Sequence, residues 1–232
     1  MFNLGTRTIT IMSRVIIWGG TGQAKLVRPI LEEYGSKVVA VFDDTPNLFS
    51  PFVDIPIYQG NEFVEWISCQ GNDRNNIGFC IAIGNPHGRV RVRLSNKLKL
   101  EGLVCVDVVH RQSIIAHNAI IGEGVQILAG AIVQPEAIIG KQCIINANAS
   151  VDHECVLEDA VEIGPGATLC GLVRVGINAW IAARATVLPR LHIGADAIVG
   201  AGAVVTKCVP ENCTVVGIPA RPYTKKEVIA HE

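Results

Sequence analysis

The sequence predicts two folded parts, a small α/β domain with a Rossmann-like parallel sheet and, after it, a parallel β-helix of six-residue repeats. Two observations carry that expectation. From about Val109 to Pro210 the chain keeps one six-residue register without an insertion, and before that stretch strands alternate with helices. Stepping by six from Ile115 gives Ile121, Ile127, Val133, Ile139, Ile145, Val151 and so on to Val205, every stop being Ile, Leu or Val. Four residues after each stop the side chain is compact or aliphatic, as at Ala119, Ala131, Cys143, Ala149 and Cys155. This period is neither helical nor a simple alternation, so it describes short strands that turn a corner once per repeat.

The aliphatic stop points into a prism-shaped core and the small residue fits where the next corner narrows it. Three hexads make one triangular coil of about 18 residues, and coils stack as parallel strands roughly 4.8 Å apart. About 17 hexads therefore give a prism roughly 27 Å long. A single coil cannot bury its core face, so the stack is the folding unit.

Residues 15–108 follow the α/β pattern in order. Val15 to Trp18 reads as an apolar strand, GGTGQA as a turn, and Lys25 to Glu33 as a helix ending at Tyr34-Gly35. A strand at Val38 to Phe42 closes in Asp43-Asp44, and a loop carrying Pro46, Pro51 and Pro56 follows. A helix at Glu62 to Cys69, a strand at Phe79 to Ile83 closing in Gly84-Asn85, a helix from Arg89 to Leu100 and a strand at Leu103 to Val108 complete the domain. Strands alternating with helices argue a parallel sheet. The expected divisions are an α/β domain over 12–107, a β-helix over 108–215 and a tail over 216–232.

Composition narrows the function classes. A chain of 232 residues with 49% hydrophobic residues and a net charge of -1 reads as soluble and globular, with nothing basic enough to suggest nucleic acid. The eight cysteines are scattered without a CxxC pair, and Cys143 and Cys155 take the small inward position of their hexads. Reduced thiols in a cytoplasmic protein are the expectation. The opening MFNLGTRTITIMSR holds no apolar run long enough for a signal peptide or a membrane span, and Met12 is a second candidate initiator.

Between the first strand and the first helix, Gly19 to Gly22 allow a tight turn and leave backbone N–H groups at the helix N-terminus for a phosphate or other anion. The spacing is not that of the dinucleotide fingerprint, and a pure folding role stays open. Asp43-Asp44 ends the second strand, where a carboxylate can accept hydrogen bonds from a ribose or base. Its alternative is a turn before Thr45-Pro46. Together the two features point to a nucleotide at the carboxyl edge of the sheet.

The two-part layout and the segments WGGTGQAK, VFDD, IAIGN, NANASVDHEC and VVGIPAR resemble one group over almost the whole chain. These are the hexapeptide-repeat nucleotide-amino-sugar N-acetyltransferases, which act on UDP-4-amino sugars or GDP-perosamine, with the related sialic acid O-acetyltransferases. Parallel crossovers are nearly always right-handed, yet the resemblance implies a left-handed β-helix. It implies transfer from acetyl-CoA to the amine of a nucleotide-linked sugar, of the 4-amino-4,6-dideoxy type, in surface-glycan or glycoprotein synthesis. No metal is implied. His153 of the VDHEC segment matches the general base, Glu154 its supporting acid and Asn146 a substrate-contacting asparagine. Thr21, Gly22, Gln23, Asp43, Asp44, Gly84 and Asn85 match the sugar-nucleotide site, although Gln23 replaces a histidine found in many relatives. For acetyl-CoA the resemblance points to Gly171, Ala183 and Ala201, with Lys207 and Arg221 for its phosphates. Glu162 falls where a relative places a second histidine facing acetyl-CoA. A homotrimer with a CoA groove between prisms is also implied.

The chemistry is direct transfer. A neutral amine attacks the thioester, an imidazole takes the proton, and backbone N–H groups at a coil edge stabilise the oxyanion. Cys155 points into the prism by phase, which argues against an acyl-cysteine. Two rival classes stand against the transferase. His117 and His153 share a hexad position, as in zinc-binding prisms, but two coils put them roughly 10 Å apart in one subunit, and Glu158 takes the place of a third ligand. A prism that binds without catalysing would have no need of His153, Asn146 and Asp43-Asp44. O-acetylation of a sugar hydroxyl stays open.

Overall fold

A computed structural model describes residues 3–4 and 7–223 of the chain. The N-terminal sheet is five-stranded and wholly parallel. Its order is Ile57–Gln59, Lys37–Asp43, Arg14–Trp18, Ile77–Ile81, Val104–Cys105, so the first strand in sequence lies at the centre. Helix α1 (Gly22–Glu33) covers one face through Ala24, Val27, Ile30 and Leu31, the apolar stripe that helical periodicity predicts. Helices α2 (Phe63–Ser68) and α3 (Gly88–Leu100) cover the other through Phe63, Ile67, Leu94 and Leu98. The short strand Ile57–Gln59 and a 3₁₀ segment at Gly71–Asn76 are additions to the elements expected from sequence.

From Val108 onward the hexads form a left-handed parallel β-helix with three sheets of eight, six and five strands. Each stop fills the interior: Ile127, Ile145, Ile163, Leu169, Ile181 and Val187 are fully buried among the small residues Ala131, Ala149, Ala167 and Ala185. Complete burial of one such aliphatic side chain stabilises by roughly 1.5–3 kcal/mol. Most corners carry one residue in the left-handed region three positions after the stop. It is glycine at Gly124, Gly130 and Gly166, but an ordinary residue at Glu136, Asn148, Glu154 and Arg190. Non-glycine residues rarely adopt this conformation, so the stacking of coils imposes it. The regular register stops one hexad short of Pro210. Ile181 pairs with Val199 eighteen residues later, but Val199 pairs with Val215 sixteen residues later, which makes the final corner two residues shorter. Beyond it Val215–Val216 pairs antiparallel with Arg221–Pro222, within the stretch expected as a tail, and residues 224–232 lie outside the described residues. Among the described residues no helix is long and apolar enough to cross a membrane.

The α/β domain sits astride the eight-stranded sheet, hereafter the first face, which carries Gln126, Ile144 and Glu162 as outward residues. The six-stranded second face carries Ser150 and the five-stranded third face Val156. Arg91 of α3 joins the domains and is fully buried. Its Nε donates to the Gln142 carbonyl at 3.0 Å and its Nη2 to the Ala160 carbonyl at 2.8 Å, both in the prism. Nη1 donates to the Ile83 carbonyl at 3.0 Å and to Asn85 Oδ1 at 3.3 Å. The contact is so close at α3's first residue that a Cβ on Gly88 would lie 2.4 Å from the Ala160 carbonyl oxygen. Replacing Arg91 by Met leaves four acceptors and the nearby Glu162 without their cation. We expect a loss of about 3–5 kcal/mol in urea unfolding, whereas Arg89→Ala, which breaks an exposed pair with Asp196, should cost less than about 1 kcal/mol.

Candidate functional site

The central strand Arg14–Trp18 is followed on one side by Lys37–Asp43 and on the other by Ile77–Ile81, so the sheet has its topological switch point between the first and last of these. Crevices outside the carboxyl ends of strands at such a point are where α/β sheets bind ligands. A cleft of about 320 Å³ lies there, lined by Trp18, Gly19, Thr21, Asp43, Asp44, Thr45, Ala82, Ile83, Gly84, Asn85 and His87. Thr21, Asp43, Asp44, Gly84 and Asn85 were expected at this site; Gly22 opens α1 but does not line the cleft. His87 was not foreseen, although it directly follows the IAIGNP strand end that reaches the switch point.

The paired aspartates divide their work. Asp43 Oδ2 accepts the Gly20 N–H at 2.6 Å and Oδ1 the Thr45 N–H at 2.8 Å, so both of its oxygens shape the two loops that frame the cleft. Among the described residues Asp44 has no hydrogen-bond or ion-pair partner, and it lies against Gly60, where an added Cβ would meet its Oδ1. The turn reading therefore fits Asp43, and Asp44 is the exposed carboxylate of the cleft wall.

His153 and Glu154 stand at the corner between the second and third faces, half exposed, with Nδ1 3.0 Å from Glu154 Oε2. A proton on Nδ1, donated to that carboxylate, leaves Nε2 as the acceptor. The His153 N–H donates to Asp152 Oδ1 at 2.7 Å, which fixes the backbone entering the corner. One coil further, Gly171 lies beneath the imidazole: a Cβ there would stand 2.4 Å from Nε2. Glu154 adopts its left-handed φ of 57° because it is the corner residue, as its counterparts in other coils do. Cys155 is buried, donates its thiol to the Cys170 carbonyl at 3.2 Å, and is pushed by burial up to about 11. It cannot serve as a nucleophile on that side of the corner.

Three expected site residues turn out to be spent at the domain junction. Gln23 Nε2 donates to Gln126 Oε1 at 2.6 Å, and Gln126 in turn donates to the Ile81 carbonyl, which takes Gln23 out of the cleft. Asn146 is buried on the corner between the first and second faces, its side chain directed to Glu162 and its Oδ1 accepting the Ala147 N–H at 3.2 Å. Glu162 does not face an open groove: it lies under the α/β domain, accepts the Asn85 N–H at 2.8 Å and stands 3.8 Å from Arg91. Burial raises its carboxyl, while Arg91, the Asn85 N–H and Asn146 pull it back.

Comparisons with known proteins converge on one group. The family model PglD N-terminal domain matches residues 14–98 and the model bacterial transferase hexapeptide (six repeats) matches residues 173–207. The crystal structure of PerB from Caulobacter crescentus, in complex with CoA and GDP-perosamine, superposes with a TM-score of 0.81 at 33% identity, covering 94% of this chain and 100% of that one. The chain belongs to the hexapeptide-repeat nucleotide-amino-sugar N-acetyltransferase family. WeeI from Acinetobacter baumannii AYE gives a TM-score of 0.74 at 28% identity over 92% of this chain and 100% of its own. GDP-perosamine N-acetyltransferase of Escherichia coli O157:H7 is 36% identical over 148 residues, 62% of this chain and 66% of its own length. The chain spans about half to two thirds of the length of the curated relatives it matches.

The positions at which the family resemblance places acetyl-CoA lie on two corners. Gly171 shares the His153 corner, whereas Ala183 and Ala201 occupy the corner of Asn146, between the first and second faces. Lys207 and Arg221 come together in a crevice of about 320 Å³ at the C-terminal end of the prism, with Cys208, Val215 and Ala220. Among the described residues no group of three or more His, Cys, Asp or Glu side chains is placed to hold a metal ion.

Two outcomes follow from this family member's geometry. Gly171→Ala should leave the fold intact but push the His153 ring off its coil, visible in a crystal structure of the variant as a rotated imidazole. Asp43→Ala should lower stability by about 1–3 kcal/mol, since it strips acceptors from Gly20 and Thr45, whereas Asp44→Ala should hardly move the melting temperature. Equal melting shifts for the two would erase the division of labour between them.

Proposed function

We propose that this chain is an acetyl-CoA-dependent N-acetyltransferase acting on the amino group of a nucleotide-linked amino sugar, with His153 as general base. The observation that carries the reading is the presence, in one chain, of a cleft at the switch point of an α/β sheet and an exposed imidazole held by a carboxylate at a prism corner. The relatives support the substrate classes: PerB holds CoA and GDP-perosamine, and the Escherichia coli relative is a GDP-perosamine N-acetyltransferase.

In this reaction the neutral amine attacks the thioester carbonyl carbon, forming the N–C bond. His153 Nε2 takes the proton that the nitrogen must lose, and collapse of the tetrahedral adduct breaks the C–S bond. The proton then passes to the departing CoA sulfur. Glu154 accepts the Nδ1–H hydrogen bond throughout, so that Nε2 is the nitrogen that gains and returns the transferred proton, and Gly171 keeps the space beneath the ring free of a side chain. Such base catalysis contributes about 10²–10⁴-fold.

Assembly supplies what one chain separates. His153 stands on the corner opposite the first face, and the cleft belongs to the domain that covers the first face. One side of the prism spans six residues, roughly 15–20 Å at strand rise, so a sugar held in the cleft is beyond reach of the same chain's imidazole. A cyclic homotrimer brings the His153 corner of one copy to the cleft of the next. The exposed Ile114, Ile120 and Ile138 on the second and third faces provide apolar surface for that contact.

One experiment tests chemistry and assembly together. His153→Ala should lower turnover by about 10² or more, and Asp44→Ala should fail at low sugar-nucleotide concentration. Co-expressed at equal amounts, the two variants should recover about a quarter of wild-type activity, because that fraction of interfaces pairs an intact base with an intact cleft. No recovery would place the site within one chain, and full activity of His153→Ala alone would remove the base.

A further inference from the structure

Along the six regular strands of the first face, from Val108–Val109 to Ile198–Val199, the outward positions are Val108, Gln126, Ile144, Glu162, Trp180 and Ile198, and Glu162 is the ionisable residue among these six. It is also the point where cleft and prism meet. Its Oε2 accepts the N–H of Asn85, a residue of the cleft wall, at 2.8 Å. The Asn146 side chain approaches the same carboxylate from the prism corner. Arg91 lies 3.8 Å away and binds the Asn85 side chain and the Ile83 carbonyl, so the whole Ile83–Asn85 wall hangs on this buried pair.

We propose that Glu162 is a positioning residue for the acceptor, its buried carboxylate fixing the Gly84–Asn85 wall of the cleft to Asn146 and thereby setting the sugar nucleotide in register with the prism. The inference rests on the acetyltransferase reading above. A carboxylate suits this task because both of its oxygens accept, whereas an amide accepts with one atom and turns donor protons toward the other side. A donor on the Asn85 side or the Asn146 side must then go unmatched. Glu162 thus acts through Asn85 and Asn146 and touches neither acetyl group nor amine.

The test is a double-mutant cycle in the full-length protein with Glu162→Gln, Asn146→Ala and the pair. Loss of a hydrogen bond to a charged group corresponds to roughly ten- to a hundredfold in affinity. Glu162→Gln should raise KM for the sugar nucleotide about tenfold and leave KM for acetyl-CoA within about twofold. Because both residues hold one wall, the double variant should be no worse than the poorer single variant beyond about twofold. A raised KM for acetyl-CoA, or losses that multiply, would overturn the proposal. If Glu162→Gln does not fold, Glu162→Asp keeps the charge but withdraws the oxygens by one methylene, and the same split is expected. A wild type inactive on every nucleotide-linked amino sugar would refute the acetyltransferase reading alone. Glu162 is then judged by calorimetric titration with nucleoside diphosphates, where about tenfold weaker binding in the variant upholds it and unchanged or absent binding overturns it.

Discussion

A guanidinium that never loses its charge has been sealed between two domains, and the arrangement of the molecule follows from that. Buried charge is tolerated only where hydrogen-bond acceptors replace the lost water. Arg91 finds them on both sides at once, in the Ile83 carbonyl and Asn85 side chain of the α/β domain and the Gln142 and Ala160 carbonyls of the prism. Neither domain satisfies it alone, so Arg91 ties their relative orientation together, alongside the Gln23–Gln126, Asn85–Glu162 and Arg89–Asp196 contacts. The planar fork of arginine makes this possible, since five donors leave it in fixed directions. The cleft inherits the constraint because Ile83 and Asn85 belong to its wall.

Much of this was legible in the residues. The hexad phase fixes which side chains enter the prism, and the buried stops from Ile121 to Val205 follow it. The same phase placed Cys155 inward, where its thiol is now seen pointing to the Cys170 carbonyl. The alternation before Val108 yielded the strands and helices of the sheet, but not the edge strand Ile57–Gln59, which lies in a proline-rich loop and is half-buried without alternation. Phase was silent in a more consequential way for Asn146 and Glu162, while Gln23, on α1, is taken up by the prism residue Gln126. An outward position on the prism reads as solvent-facing unless another domain covers it, and the covering helix begins some seventy residues earlier in the chain. Arg91 itself was marked by a signal that went unread: it falls three residues before Leu94 and seven before Leu98, on the apolar stripe of α3.

The corner geometry carries the last step. Advancing by one hexad moves the chain to the next face, and advancing by three returns it to the same place one coil along. Gly171 lies eighteen residues after His153 and therefore directly under it, which the close approach of its backbone to the imidazole reflects. Ala183 and Ala201 are also eighteen apart and share a column with Ala147, next to Asn146. The corner residues of the prism matched to acetyl-CoA and to the acceptor, Gly171 with His153 and Ala183 and Ala201 with Asn146, thus fall in two vertical columns on adjacent corners, with the whole second face between them. An extended thioester cannot lie in both columns of a single copy without crossing that face. In the proposed trimer, two copies packed side by side would bring the His153 column of one against the Asn146 column of the next, and a groove between prisms would then have the length and the two walls that such a donor needs. The repeat that builds the core also sorts His153 and Asn146 into separate columns, which is the geometric ground on which the proposed assembly rests.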